Sequence, residues 1–204
     1  MKRGQLTSTV VIRAAADLAD EDGFGRVTLA EVALRLGVRT PSLYTHVRDR
    51  TALLDGVHEL ALDELADRIA SAVAGRSGRA ALVGLAEAQR RYAQQAPGRW
   101  ASLIRPIGPD EPRSAAAIRL FDLVVAVLRG YSIAEGELEH VTRFLDASIN
   151  GFVGLEHAGN LAHHGPDVEQ SWQRLLAVLH AALERWSEWS HEPDRPNDGP
   201  VDRA

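Results

Sequence analysis

Apolar residues recur at the spacing of α-helices along nearly the whole chain, whereas the alternation of apolar and polar residues that marks a β-strand is almost missing. The 204-residue sequence is also rich in alanine and leucine, which favour helices. Its 45% hydrophobic and 25% charged content suits a globular protein with a sizeable core. We therefore predict an all-α fold.

Cap and breaker residues divide residues 1–50 into three short helices. The first helix is predicted over residues 7–22, where Gly23 ends it. Thr28 and Glu31 then stand three positions apart, the spacing of a capping box in which each side chain binds a backbone N–H of the other residue. The second helix is therefore expected to begin beside Thr28.

A turn of only a few residues separates the second helix from the third. Gly37 stops the second helix, Thr40 can act as N-cap of the third, and Pro41 suits its first position because proline lacks an N–H. Helices this short are not stable alone, so they must share one small core. We expect that core to contain Ala14, Leu18, Leu29, Val32, Ala33, Leu36, Leu43 and Val47.

Two short helices joined by such a turn form a helix-turn-helix, whose second helix enters the major groove of DNA by its N-terminal residues. An ordinary short helix with a solvated polar face is the alternative, and a lone tyrosine would be weak evidence against it. Capping, spacing and charge together favour DNA binding. Once Leu43 and Val47 point inward, the outer surface carries Thr40, Pro41, Ser42, Tyr44, Thr45 and His46.

Positive charge is concentrated near this turn, although the chain carries a formal net charge of −5. Of its 23 basic and 28 acidic residues, 8 and 7 lie in residues 1–58, which leaves 15 and 21 for the rest. Within residues 26–50, five arginines face only Glu31 and Asp49. A local basic face of this kind attracts the phosphates of DNA.

Longer helices are predicted for the remainder of the chain. Asp49 is the expected N-cap of the first of them, and Ser132 with Glu135 forms a second capping box. Residues 97–112 are expected to be irregular, and a loop is expected over residues 158–167. The predicted helices cover residues 50–74, 79–96, 114–129, 132–157 and 168–189.

Two runs in the first part of the chain, TLAEVALRLGV (28–38) and PSLYTHVRDRTALLDGV (41–57), strongly resemble the tetracycline-repressor (TetR) family of transcriptional regulators. The run ASINGFVGLEHAGNL (147–161) and the following SWQRLLAVLHAALERW (171–186) are similar to the ligand-sensing C-terminal domain of one subgroup. The resemblance implies a homodimeric regulator, most often a repressor, that releases a near-palindromic operator when a small apolar or amphipathic effector binds.

The same resemblance implies a division into domains. Residues 1–50 would form a helix-turn-helix DNA-binding domain, and residues 51–190 a helical ligand-binding and dimerisation domain. Residues 191–204 are polar and rich in proline, which predicts a disordered tail.

Individual DNA contacts also follow from the resemblance. Leu29 departs from the pattern because many members carry a polar or basic residue there, and Arg50 replaces the usual lysine. Arg39 is also expected to contact DNA, because it belongs to the local concentration of positive charge. The contacts implied are Thr28, Tyr44, His46 and Arg50 to phosphates, and Thr40, Pro41, Ser42 and Thr45 to base edges.

The C-terminal part offers candidates for a ligand cavity and for a dimer interface. An apolar cavity is one interpretation of Trp100, Ile104, Phe121, Val125, Phe144 and Phe152, and an ordinary core is equally consistent with each of them. A single DNA-reading helix gives little specificity, which favours a dimer over packing within the chain. The family's last two helices form the dimer interface, which implies Gly151, Gly154, Leu175, Val178, Leu179, Ala182 and Trp186 as contacts.

Missing residue types exclude several classes of enzyme. The chain has no cysteine and its only lysine is Lys2, so thiolate chemistry, a phosphate-loop lysine and a buried Schiff-base lysine are not available. His58 and Glu59 begin an HExxH zinc motif, but Leu62 stands where the second histidine must be. We therefore expect a protein that is not an enzyme and needs no cofactor.

Histidines after the long helix raise a metal-dependent alternative. His157, His163 and His164 gather there with Glu156 beside them, and a zinc-assisted hydrolase is the rival function that they suggest. Adjacent histidines do not easily chelate one ion, and spacing fixes no further ligand. A solvated loop without a metal is therefore the preferred interpretation.

No window of the sequence is long and apolar enough to cross a bilayer, and the start MKRGQLTSTVV lacks the apolar stretch of a secretory signal. We expect a cytoplasmic protein without a membrane partner. An all-α small-molecule binder without specific DNA binding remains the alternative function.

Overall fold

A computed structural model describes residues 6–105, 114–162 and 165–189, and every regular element within these ranges is helical, which confirms the all-α prediction. Three 3₁₀ helices cover Phe24–Arg26, Thr40–Thr45 and Glu135–Glu137. The α-helices are α1 (Ser8–Asp22), α2 (Leu29–Leu36), α3 (Arg50–Val73), α4 (Gly78–Gln95), α5 (Pro97–Leu103), α6 (Ala115–Leu128), α7 (Leu138–His157), α8 (Val168–Glu184) and α9 (Trp186–Trp189).

The four helical elements before α3 and the start of α3 itself enclose a small core of their own. The Thr7 side chain caps α1 by accepting from the Val10 N–H, and Gly23 ends the helix at a φ of 98°. Leu53 and Val57 of α3 are completely buried in the same core, so α3 belongs to this unit as well as to the next one. The other core members are Val11, Ala14, Ala15, Ala16, Leu18, Ala19, Val27, Val32, Ala33, Leu43 and Val47.

The structure confirms the capping box predicted for α2. The Thr28 N–H donates to Glu31 Oε2 at 3.0 Å, and the Glu31 N–H donates to Thr28 Oγ1 at 3.2 Å. Gly37 ends the helix in the left-handed conformation, with a φ of 67°. Asp49 likewise caps α3 as predicted, because its Oδ1 accepts from the Ala52 N–H at 2.8 Å.

The prediction that Thr40 caps a short α-helix was wrong. Thr40–Thr45 is a 3₁₀ helix that begins after Arg39 and has no side-chain cap, although Pro41 occupies its first turn as expected. In this tighter helix the Ser42 N–H donates to the carbonyl of Arg39 at 2.9 Å. That bond uses the donor that a capping Thr40 side chain would otherwise satisfy.

A second, larger core joins helices α3 to α8. Trp172 and Tyr92 are completely buried in it, and the Trp172 indole N–H donates to Glu87 Oε1 at 2.7 Å. Helix α3 packs against both α4 and α6. None of the helices in the described ranges combines the length and the apolar character that a bilayer crossing requires.

Three predictions for this part of the chain were wrong in detail. Residues 97–103 form α5 instead of an irregular stretch, and Arg185 separates α9 from α8. The predicted capping box of Ser132 and Glu135 does not form, because Glu135–Glu137 is a 3₁₀ turn and α7 begins only at residue 138. The predicted disordered tail, residues 106–112 of the expected irregular stretch, and residues 163–164 lie outside the described residues.

Candidate nucleic-acid interface and effector domain

The 3₁₀ helix Thr40–Thr45 presents polar side chains outward because its apolar residues are anchored inward. Leu43 is completely buried, and Val47 immediately after the helix is buried as well. Tyr44 lies on the other side and leaves 55% of its surface exposed, which is high for an aromatic residue. Pro41, Ser42 and Thr45 are also exposed, whereas Thr40 and His46 are half-buried.

Local hydrogen bonds fix the backbone of this segment. The Thr45 hydroxyl donates to the carbonyl of Ser42 at 2.9 Å, and the Ser8 hydroxyl of α1 donates to the carbonyl of His46 at 3.0 Å. The segment is therefore tied both to itself and to the first helix. Its exposed side chains stand on a fixed backbone, which lowers the ordering cost of binding.

Arg50 is exposed but already held in one orientation. Its Nε donates to the carbonyl of Val27 at 2.8 Å, and one terminal nitrogen donates to the carbonyl of Gly25 at 2.6 Å. A guanidinium has five N–H donors, so these bonds leave donors that can reach a phosphate. Its predicted phosphate contact stays a prediction that this geometry supports.

Thr28 is more constrained than its predicted role as a phosphate contact requires. Its hydroxyl donates to Glu31 Oε2 at 2.8 Å and accepts from the Glu31 N–H, while its own N–H donates to the same carboxylate. A phosphate would have to displace Glu31 to reach either donor. Arg39 is exposed beside the 3₁₀ helix, so its side chain is accessible to a phosphate.

Asp49 is the acidic residue nearest to this basic face along the chain, and it is engaged locally. Its carboxylate accepts from the Ala52 N–H and from Arg48 Nε, each at 2.8 Å. The backbone hydrogen bond from Ala52, followed by the Arg48 bond, lowers the pKa of Asp49 below its ordinary value. Asp49 therefore stays ionised as the cap of α3, and Arg48 offsets its charge.

A joint between the two cores connects α5 to α1 and α3. We use the name α5 joint for the contacts of Gly98, Arg99 and Ser102. The Arg99 backbone N–H and Nε donate to the two carboxylate oxygens of Asp20 at 2.9 and 2.7 Å, and Arg99 Nη1 donates to Glu64 at 2.9 and 3.0 Å. Gly98 lies directly against the backbone of α1.

Two further contacts hold α3 in this region, one to α5 and one to α4. The carbonyl of Ser102 lies 2.9 Å from Nδ1 of the buried His58, and the Tyr92 hydroxyl donates to Glu64 Oε2 at 3.1 Å. Burial, followed by the charge of Glu64, raises the pKa of Tyr92, so it remains a neutral donor. Helix α5 is therefore hydrogen-bonded to both α1 and α3.

The residues predicted to line a ligand cavity do not form one group. Trp100 is buried in the larger core, Phe144 packs at 5.5 Å from Trp186, and Phe152 packs at 5.1 Å from Trp172. These three residues share the larger core. The role of the whole set as ligand contacts stays a prediction. Of the other three predicted residues, Ile104 is exposed, and Phe121 and Val125 are half-buried.

A buried arginine that no sequence motif marks joins α4 to α7 and α8. Arg90 donates from Nε and Nη2 to the Glu156 carboxylate at 2.8 and 2.6 Å, and from Nη1 to Glu169 at 2.6 Å. Its guanidinium lies 4.9 Å from the centre of the Trp172 ring. Hydrogen bonding to Glu156 raises the pKa of Arg90 above its ordinary value.

The predicted dimer contacts divide between the inside and the outside of the protomer. Leu179 and Ala182 are buried in the protomer, so their predicted outward position was wrong. A Cβ at Gly154 would lie 3.7 Å from the Trp100 ring and also points inward. Leu175 and Trp186 are half-buried against the larger core. The most apolar stripe of α8 therefore packs mainly against the protomer's own core.

An outward face nevertheless remains on α7 and α8. Val178 is 63% exposed, and a Cβ added at Gly151 would meet no atom of another element within 4 Å. Leu155, for which no sequence pattern predicted a role, is 48% exposed. Exposed alanines lie on the same two helices: Ala147, Ala177 and Ala181.

The zinc-hydrolase alternative gains no support from the described residues. Groups of three or more potential metal ligands are absent from the ranges that the structure describes. His157 packs at 6.1 Å from the Trp100 ring, and Glu156 is paired with Arg90. His163 and His164 lie outside the described residues.

Comparison with known proteins agrees with both halves of the structure. Residues 11–57 match the family described as bacterial regulatory proteins, tetR family, and residues 82–179 match the tetracyclin repressor-like C-terminal domain. A variant TetR from Acinetobacter baumannii AYE, solved in complex with minocycline, has 21% identity and a TM-score of 0.69, covering 89% of this chain and 98% of its own. This likeness shows a shared fold.

Two curated relatives extend over most of the chain. The uncharacterized HTH-type transcriptional regulator Rv0681 of Mycobacterium tuberculosis is 29% identical over 183 residues, which is 89% of this chain and 83% of that protein. The uncharacterized HTH-type transcriptional regulator YobS of Bacillus subtilis is 31% identical over 152 residues, which is 74% of this chain and 78% of that protein. The chain therefore belongs to the TetR family of transcriptional regulators.

Proposed function

We propose that this chain is a homodimeric repressor that binds a near-palindromic operator and dissociates from it when a small molecule binds. The 3₁₀ helix Thr40–Thr45, here called the reading segment, would contact the operator bases. The observation that carries the proposal is the outward set of Pro41, Ser42, Tyr44 and Thr45 on a backbone anchored by buried Leu43. Fixed polar groups beside a basic face suit base edges and phosphates. The cytoplasmic location stays a prediction.

The outward face of α7 and α8 supports the dimeric part of this proposal. Gly151 and the exposed alanines let a second helix pair approach closely, and Leu155 with Val178 offer apolar area that is exposed in the protomer. A two-fold dimer would place two reading segments about 34–36 Å apart, one helical turn of DNA.

Release by a ligand needs a path from the C-terminal core to the reading segments, and the α5 joint offers one. Arg99 binds Asp20 of α1 and Glu64 of α3, while the start of α3 carries Arg50. An effector that binds one position of α5 better than another would change the spacing of the two reading segments. Coupling of about 1–3 kcal/mol is typical of such regulation.

The alternative function, small-molecule binding without specific DNA recognition, predicts a different response to mutation at the reading surface. We expect the Tyr44→Ala, Arg50→Ala double variant to bind DNA from upstream of its own gene at least about tenfold more weakly than wild type. Wild-type binding should also weaken steeply with added salt, and the variant should show a shallower dependence because it neutralises fewer phosphates. Fluorescence anisotropy at several salt concentrations measures both effects.

Arg143→Ala is the matched control for the loss of positive charge. Arg143 is exposed on α7 and pairs with Glu139 one turn away, far along the chain from the reading segment. Its removal should leave DNA affinity unchanged. Equal affinity of the double variant and wild type at moderate salt, with both folded by circular dichroism, would contradict the proposal and favour the alternative.

A further inference from the structure

A groove of about 610 Å³ opens between α3 and α4, on a part of the surface that the predicted ligand residues do not line. Its volume falls within the range of roughly 300–1,000 Å³ that small-molecule sites occupy. Its lining combines apolar residues, two carboxylates and three arginines, all from the second half of α3, from α4 and from the turn between them. This groove therefore borders the larger core, to which its lining residue Ala88 belongs.

The floor of the groove is apolar and fixed by close packing. Ala72, Val83 and Ala88 line it, together with Gly84. A Cβ added at Gly84 would lie 2.7 Å from the carbonyl oxygen of Ala72, so the two helices touch here through their backbones. Such a floor can hold an apolar body without rearranging.

Two arginines in the lining carry charge that no carboxylate neutralises within the part of the chain that the structure describes. The Arg68 guanidinium lies 4.7 Å from the centre of the Tyr92 ring and donates from Nη1 to Gln95 Oε1 at 2.6 Å. Both partners are uncharged, so they hold Arg68 in place without offsetting its positive charge. Arg76 also lines the groove, lies near Gly84 and is exposed.

The two carboxylates of the lining already have partners. Asp67 accepts from Arg119 of α6 at 2.6 Å. Glu87 accepts from the Trp172 indole N–H at 2.7 Å and pairs with Arg91, the third arginine, at 3.4 Å. Because both carboxylates are paired with arginines, the net electrostatic potential in the groove is positive.

We propose that this groove binds an amphipathic organic anion, whose carboxylate is held by Arg68 and Arg76 and whose aliphatic or aromatic body rests on Ala72, Val83 and Ala88. A guanidinium suits a carboxylate because it offers parallel N–H donors with matching geometry. An uncharged molecule with the same apolar body would leave both guanidinium groups without a new partner. Selectivity for the anion follows from that difference.

The groove also lies close to the α5 joint. Arg68 rests on the ring of Tyr92, whose hydroxyl donates to Glu64, and Glu64 in turn binds Arg99. A bound anion that pulls Arg68 away from Tyr92 would therefore act on the contacts that join α3, α4 and α5. This regulatory consequence rests on the function proposed above, whereas the binding site itself does not.

Calorimetric titration with decanoate, below the concentration at which it forms micelles, tests the site directly. We expect wild type to bind decanoate and to bind decan-1-ol at least about tenfold more weakly, because the alcohol lacks the charge. Arg68→Gln and Arg76→Gln should each weaken decanoate binding at least about tenfold, and Arg143→Gln should not. Arg76→Gln is decisive because exposed Arg76 contributes no ion pair to the described fold.

Equal binding of decanoate and decan-1-ol, no decanoate binding by wild type, or unchanged binding by Arg76→Gln would each overturn the groove proposal. DNA binding measured without decanoate separates this result from the proposed function. If Arg76→Gln binds DNA like wild type but decanoate binding fails these criteria, only the groove proposal is lost. If wild type binds no DNA, the repressor proposal fails and the calorimetric result stands on its own.

Discussion

Replacing Gly98 with alanine should lower the free energy of unfolding by about 3 kcal/mol, the upper part of the usual range for overpacking. A Cβ at this position would lie 1.9 Å from the carbonyl oxygen of Ala19 and 2.0 Å from its carbonyl carbon. Both atoms belong to the backbone of α1, so no side-chain rotation relieves the clash. Urea unfolding followed by circular dichroism measures the loss as a lower midpoint with an unchanged slope.

Gly136→Ala is the control for the same change in a 3₁₀ turn. A Cβ at Gly136 would meet no atom within 4 Å, and the residue is exposed. Its replacement should change stability by less than about 0.5 kcal/mol. Similar unfolding midpoints for the two variants would show that α5 does not lie against α1 as described.

Arg90→Met should destabilise the protein by about 3 kcal/mol, because it removes the partner of two carboxylates. Glu156 is mostly buried and loses both of its hydrogen bonds to Arg90, while the more exposed Glu169 loses one. Methionine preserves most of the apolar contact with the Trp172 ring, so the charge accounts for the effect. Chemical denaturation measures the difference from wild type.

Two further variants separate the charge from the packing. Arg91→Met changes the adjacent residue, which is exposed and pairs with Glu87 at 3.4 Å, so it should cost less than about 0.5 kcal/mol. Glu156→Gln added to Arg90→Met should recover part of the loss, because it removes the unpaired buried charge. An Arg90→Met variant as stable as Arg91→Met would refute the described network.

Local signals explain why the first part of the fold could be predicted from the sequence. Thr28 with Glu31, Gly37 and Asp49 act on backbone groups within four residues, so their types and spacing define the caps. The inward position of Leu43 follows from spacing in the same way. These residues orient the reading segment, and most of the candidate DNA-binding surface depends on them.

Contacts between distant residues explain what could not be predicted. Arg99 and Asp20 are 79 positions apart, and nothing in the spacing of either residue indicates the other. Helix α5 is short, and its contact with α1 at Gly98 supports it where local pattern alone suggested an irregular stretch. Leu179 was assigned to the wrong side of α8 because an apolar stripe does not reveal whether it faces its own core or a partner.

Recognition of two operator half-sites by one dimer requires a fixed spacing between the half-sites. Selection from random-sequence duplexes would supply a binding site, into which about five base pairs, half a helical turn, are then inserted between the half-sites. We predict that the insertion reduces affinity to that of a single half-site, because it moves one half-site to the opposite side of the duplex. Unchanged affinity after the insertion would show that one dimer does not recognise both half-sites together.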